Sequence, residues 1–94
     1  MYIWKDDSSY SQNDKKRIPS CWRIDVKDFI SIQVHRHIYY ENTWLLSCKE
    51  LNLDKFDLMT DDVEQAKSRA LTIIAKRCND LLQKANEFLH IIEP

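Results

Sequence analysis

Hydrophobic and polar residues alternate along the first half of the chain and switch to a helical period in the second. In "CWRIDV", Trp22, Ile24 and Val26 fall on one side and Arg23 and Asp25 on the other, the period of a half-buried strand. In "ISIQVHRHIYY", Ile30, Ile32, Val34 and Ile38 share a face, with Ser31, Gln33, His35, His37 and Tyr39 opposite. In "TWLLSC", Trp44, Leu46 and Cys48 oppose Thr43, Leu45 and Ser47. Loops at 27–29 and 40–42 align these apolar sets on one face, and a one-residue slip would turn a whole strand over. Loops of this length favour a residue tolerant of positive φ at their last position, which suits Asn42 better than Phe29.

"KELNLDKFDLMT" has no clean period, and Leu51, Leu53, Phe56 and Leu58 are expected to pin it over an edge of the core. A helix then runs from 63 to about 91, capped by Thr60 or Asp61, with Asp61 and Glu64 at capping-box spacing. Its stripe is Val63, Ala66, Ala70, Ile73, Ile74, Cys78, Leu81, Ala85 and Phe88, with Leu82 and Leu89 beside it. Such a helix is ~45 Å long, whereas the strands reach only about 30 Å. It must overhang the sheet, kink or meet another copy. Leu82, Phe88, Leu89 and Ile91 are costly to leave wet, so a homodimer through the C-terminal helix is expected.

The fold class is α+β: an antiparallel three-stranded β-meander packed against one long C-terminal α-helix, with a possible short N-terminal strand from "YIW". Residues 1–20 form an N-terminal arm, partly flexible through the polar run "KDDSSYSQNDKKR", and residues 21–94 a single domain that Pro19 introduces. At 94 residues one core is all the chain can build. Glycine is absent, which excludes the close backbone approach of Walker and Rossmann phosphate loops. The net charge of −1 sets up no field for nucleic acid or anionic lipid. The start lacks a signal-peptide apolar region and no apolar run approaches ~20 residues, so no membrane role is expected. Three cysteines fit reduced thiols in the cytoplasm.

Four chemistries are open to "HRH" and its surroundings. On one strand, His35 and His37 would leave the same face, as metal ligands can, yet no C-x-x-C or H-x3-H spacing accompanies them; no metal or other cofactor is expected. Cys48 or Cys21 beside His35 is the one nucleophile–base pairing to state, but Cys48 points to the core and a small sheet leaves little concavity, so no enzyme is expected. Lys15, Lys16, Arg17, Arg23 and Lys27, with Arg36, His35, His37 and Tyr39, could line a single-strand nucleic-acid platform in which bases stack and cations meet phosphate. Arg36, however, has core-side parity, and Asp25 and Asp28 interrupt the patch. Asp54, Asp57, Asp61, Asp62 and Glu64 form an acidic connection that either caps and solvates the helix or occupies a basic groove on a partner.

The pattern "WRIDV…ISIQVHRHIYYENTWLLSC…DDVEQAKSRAL", over residues 22–71, resembles the small sheet-then-helix accessory proteins of phages and prophages. Anti-CRISPR proteins, which block host defence nucleases by binding, are among these. The resemblance implies a class of behaviour and transfers no residue roles. The expected function is a non-enzymatic protein-binding module, a phage-type inhibitor that occludes a host defence enzyme or nucleoprotein complex in the host cytoplasm. Its expected contact residues are His35, His37, Tyr39, Tyr40, Glu41, Asn42, Asp54, Asp57, Asp61 and Asp62, with Thr43 and Leu45 on the same sheet face. The alternative is a small nucleic-acid-binding protein using the basic arm and outer sheet face.

Overall fold

The computed structural model describes residues 3–10, 18–40 and 42–93. An antiparallel sheet of five strands runs in sequence order: β1 (Lys5–Asp6), β2 (Cys21–Val26), β3 (Ile30–His35), β4 (Leu45–Cys48) and β5 (Leu53–Asp57). A short 3-10 turn, Lys49–Leu51, joins β4 to β5, and the helix α1 (Val63–Ile92) follows. The class is α+β, as the periodicity implies, but the sheet has five strands: a short N-terminal strand falls at Lys5–Asp6, just after "YIW", and β5 is added beyond the meander expected.

The position of β1 and the existence of β5 escape a pattern reading for physical reasons. β1 is two residues long, too short for any period to show. The segment 53–57 pairs with β4, but its register shifts between Leu46 and Cys48, a bulge that breaks alternation. Lys55 has φ 50° and Asn52 φ 58°, turning side chains off the pleat. Phe56, expected over the core, is therefore largely exposed, while Leu51, Leu53 and Leu58 are buried.

The β2–β3 loop has the expected length, with Val26 paired to Ile30. The positive φ falls on Asp28, at 61°, one position earlier than expected, which spares Phe29. Aspartate tolerates this conformation through its short polar side chain. The next loop differs more. β3 ends at His35 rather than near Tyr39, and His35 pairs with Leu45. A three-residue loop at 40–42 would have paired Val34 with Cys48, whereas Val34 pairs with Leu46. The shift is of two residues, so side-chain parity survives and Ile30, Ile32, Val34, Trp44, Leu46 and Cys48 all enter the core as expected. Ile38, assigned to that face, instead lies exposed in the loop.

The core sits between one sheet face and the first half of α1. Ala66, Ala70 and Ile74 close over Ile24, Ile32, Val34 and Leu46. The two alanines let the helix approach the sheet closely. Val34 and Leu46 are fully buried, and such burial stabilises by about 1.5–3 kcal/mol per side chain. Lys67 Nζ lies 3.9 Å from the centroid of the Trp22 ring, and Arg69 Nη1 donates to the carbonyls of Leu58 (2.8 Å) and Met59 (3.0 Å). These contacts fasten the helix start to both sides of the sheet. The N-cap is Asp62, one residue beyond the expected candidates: its carboxylate accepts from the amides of Glu64 (2.8 Å) and Gln65 (3.3 Å). Thr60 instead accepts the Asp62 amide at 3.1 Å, and Asp61 turns to Arg36.

Beyond Cys78 every described residue of α1 is exposed. The helix overhangs the sheet, and the longest molecular dimension is 62 Å against 26 and 23 Å. At the other end, the described part of the arm is attached to the sheet. Asp7 donates its amide to the Cys21 carbonyl (2.9 Å) and pairs with Arg23 (2.9 Å), while Ser8 Oγ accepts from the amides of Ser20 (2.7 Å) and Cys21 (3.0 Å).

Candidate interaction surface

Residues 36–40 and 42–44 belong to a loop whose two ends are clasped together. The Arg36 amide donates to the Ser20 carbonyl at 2.9 Å, extending the β2–β3 ladder by one step. Trp44 belongs to the other side of the sheet: its amide donates to the Thr60 carbonyl and its own carbonyl accepts the Leu58 amide, each at 2.9 Å. These opposed allegiances split the chain apart after His35. The Arg36 side chain, on the core side by parity, lies across the Trp44 ring at 4.5 Å from its centroid. Its guanidinium bonds the Asp61 carboxylate and, at 3.3 Å, the Asp61 carbonyl. Trp44 Nε1 donates to that same carbonyl at 3.0 Å. One buried indole thus joins the loop's start, its end and the approach to α1.

The loop between these anchors presents apolar and aromatic surface. The Tyr40 amide donates to the His37 carbonyl (2.9 Å), the Tyr39 amide donates to His37 Nδ1 (3.2 Å), and the His37 ring contacts those of Tyr39 and Tyr40 at 5.2 and 5.9 Å. Ile38 is 76% exposed and Tyr39 81%. Asp57 touches the loop's far side, its carboxylate accepting from the Thr43 hydroxyl and from the Met59 amide (2.7 Å). Those hydrogen bonds hold the Asp57 carboxyl below the usual carboxylate range, the Thr43 bond most strongly.

The structure therefore groups His37 with Tyr39 and Tyr40, and ties Asp61 and Asp57 to Arg36 and Thr43 at the two ends of that loop, with Asp62 next to Asp61 at the helix start. It does not bring in the other candidates. Glu41 lies outside the described residues, and Asn42 is exposed at the tip of the loop. Asp54 sits on the outer sheet face, in a depression of about 480 Å³ shared with Ser31, Gln33, Ser47, Glu50 and Asn52. His35 also faces outward but works as a fastening. Its Nε2 is 2.8 Å from Ser47 Oγ, which in turn accepts the Lys55 amide at 3.0 Å, so one imidazole links β3, β4 and β5. Burial pushes its pKa below the ordinary histidine value, holding the ring neutral near pH 7. Leu45, placed by alternation on the contact face, is fully buried and so offers a partner no surface.

The premise of a histidine metal pair fails, because His37 has left the strand and no longer shares a face with His35. Among the described residues no group of three or more histidine, cysteine, aspartate or glutamate side chains is placed to hold a metal ion. Cys21 pairs across the ladder with His35, but burial pushes the Cys21 thiol up, and the His35 ring is already engaged by Ser47. Cys48 is buried on the opposite face, its thiol raised by the same cause. Of the basic set, Arg23 is paired with Asp7, Lys27 projects from the β2–β3 turn, and Lys15, Lys16 and Arg17 lie outside the described residues. Among the described residues, no helix is long and apolar enough to cross a membrane.

No family model, curated protein or solved structure matches this chain. The clasped loop was half visible in sequence: Arg36 has core parity and so needs a partner, and a tryptophan and two aspartates lie within reach downstream. What no local pattern shows is that Asp61 would leave the helix cap to supply that partner.

Proposed function

We propose that the chain is a non-enzymatic protein-binding module whose contact surface is the His37–Tyr40 loop with its acidic flank, Asp57, Asp61 and Asp62. The observation that carries the reading is the solvent exposure of Ile38 and Tyr39 on a loop held at both ends by the Arg36–Trp44–Asp61 clasp. Exposed aromatics on a pre-ordered loop lose little conformational freedom on binding and make effective anchors. The partner that fits is a protein with an apolar pocket for the tyrosine and a basic rim facing the three carboxylates. In this reading the chain works by occlusion, as phage-type inhibitors of host defence enzymes or nucleoprotein complexes do, and no bond is made or broken.

Capture from a host lysate, with nuclease and with Tyr39→Ala in parallel, tests this. A single protein retained through nuclease and lost with Tyr39→Ala is the expected result. Retention that disappears with nuclease, and tracks Lys15, Lys16 and Arg17 instead, would replace this reading with direct nucleic-acid binding.

A further inference from the structure

We propose that the overhanging half of α1 is the interface of a two-fold homodimer, in which two such halves pack antiparallel. The inference is independent of the loop-binding reading above. The stripe that the sheet covers at Ala66, Ala70 and Ile74 does not stop where the sheet stops. It continues through Leu81, Ala85, Phe88 and Ile92 at spacings of four, three and four, with Leu82 and Leu89 along one side. A core-facing pattern is thus maintained over residues that touch no core.

A second copy of this chain is the occupant that the surface fits. The exposed large side chains of this half include Phe88 at 58% and Leu82 at 60%. Leu81, Leu82, Phe88, Leu89 and Ile92 are each about half exposed, so even at the ~150–250 Å² of an aromatic side chain the stripe supplies on the order of 400–600 Å² per copy. Two copies together reach the roughly 1,000 Å² that a specific interface needs. The stripe is also self-complementary in size. In an antiparallel pair, Leu81 meets the partner's Ile92 and Ala85 meets the partner's Phe88, so each small residue faces a large one and the two-fold axis repeats the match. Lys84 then lies beside the partner's Glu87. The overlap spans 80–93, with the two sheets at opposite ends, and the partner's last turn comes to lie beside the depression that Glu50, Leu51 and Asn52 share with Asp80, Leu81 and Lys84. A lipid surface fits less well, because Lys76, Arg77 and Lys84 are balanced by Asp80, Glu87 and Glu93, leaving no cationic excess for anionic headgroups.

Sedimentation equilibrium on the full chain at about 10–100 µM, which populates any dimer of micromolar or tighter affinity, is the test. The expected mass is twice the 11.3 kDa of one chain. Leu81→Glu with Phe88→Glu should return it to a monomer while the near-ultraviolet signal of the buried Trp44 is kept. Ala85→Phe and Phe88→Ala should each weaken association at least ~10-fold, by overpacking and by a cavity. Combined, they should recover most of the loss, because the large residue then faces the small one again. A monomer at the highest concentration, a larger assembly, or a dimer indifferent to the two glutamates would overturn the proposal. A combined variant no better than either single one would overturn the antiparallel pairing.

Discussion

Replacing Arg36 with alanine should destabilise the fold by about 2 kcal/mol and loosen the loop that the guanidinium closes. The figure combines two contributions. A cation over an aromatic face contributes roughly 0.5–1 kcal/mol when exposed and about 2 when desolvated. The Arg36 side chain is 28% exposed and lies over an indole that is almost wholly buried, which places it between these limits. The ion pair adds about 0.2–1 kcal/mol, because the Asp61 side chain is 71% exposed and well screened. Asp61→Asn separates the two. It removes the charge but keeps the Asp61 carbonyl that accepts from Trp44 and Arg36, so it should cost no more than about 1 kcal/mol. Arg36→Lys should fall between, since an ammonium cannot lie flat on the indole. Urea unfolding followed by tryptophan fluorescence, at one fixed protein concentration, reads all three. With a slope of ~1–3 kcal/mol per molar, Arg36→Ala should lower the midpoint by about 1 M. The reasoning fails if Asp61→Asn costs as much as Arg36→Ala, for then the pair carries the clasp and the stacking contributes nothing.

Other substitutions should follow burial closely. Leu46→Ala, at a fully buried position of β4, should cost ~2–5 kcal/mol, visible as a large fall in the urea midpoint. Asp62→Ala removes the α1 cap and should cost about 1 kcal/mol, with a drop in helical circular dichroism at the transition foot. His35 makes the fold sensitive to mild acid. Its folded pKa lies below the unfolded value of 6.5, so just below pH 6.5 the unfolded chain takes up protons first. Stability contributed by the neutral ring is complete above about pH 6.5 and is lost progressively as pH falls towards the folded pKa, and His35→Gln should flatten that slope in a pH series of thermal melts.

Alternation revealed more of the sheet than the loops did. Parity alone puts Trp22, Ile24, Val26, Ile30, Ile32, Val34, Trp44, Leu46 and Cys48 on one face, and it withstands a two-residue difference in register because a sheet repeats every two residues. The 3.6-residue stripe marked α1 almost to its ends, although the cap fell one residue later because Arg36 recruits Asp61. β5 stayed hidden for a reason tied to composition. In a chain without glycine, positive φ must fall on Asn52, Lys55 and Met59, and only asparagine announces it. The candidate surface was legible in its tyrosines and in Asp57, Asp61 and Asp62, but its assembly depends on the pairing of Trp44 with Leu58 and Thr60, which no local pattern encodes. His35 illustrates the converse. Its outward parity suggested a contact residue, yet its hydrogen bond to Ser47 makes it part of the sheet.

The most direct test of the account puts a photo-crosslinking side chain in place of Tyr39 and, as a control, in place of Phe29. Both positions are highly exposed aromatics, but they lie at opposite ends of β3. After irradiation in nuclease-treated host lysate, the account predicts one discrete protein adduct from position 39 and none from position 29. Equal adducts from both positions, or an adduct from position 29 alone, would contradict the claim that this protein works through its clasped tyrosine loop.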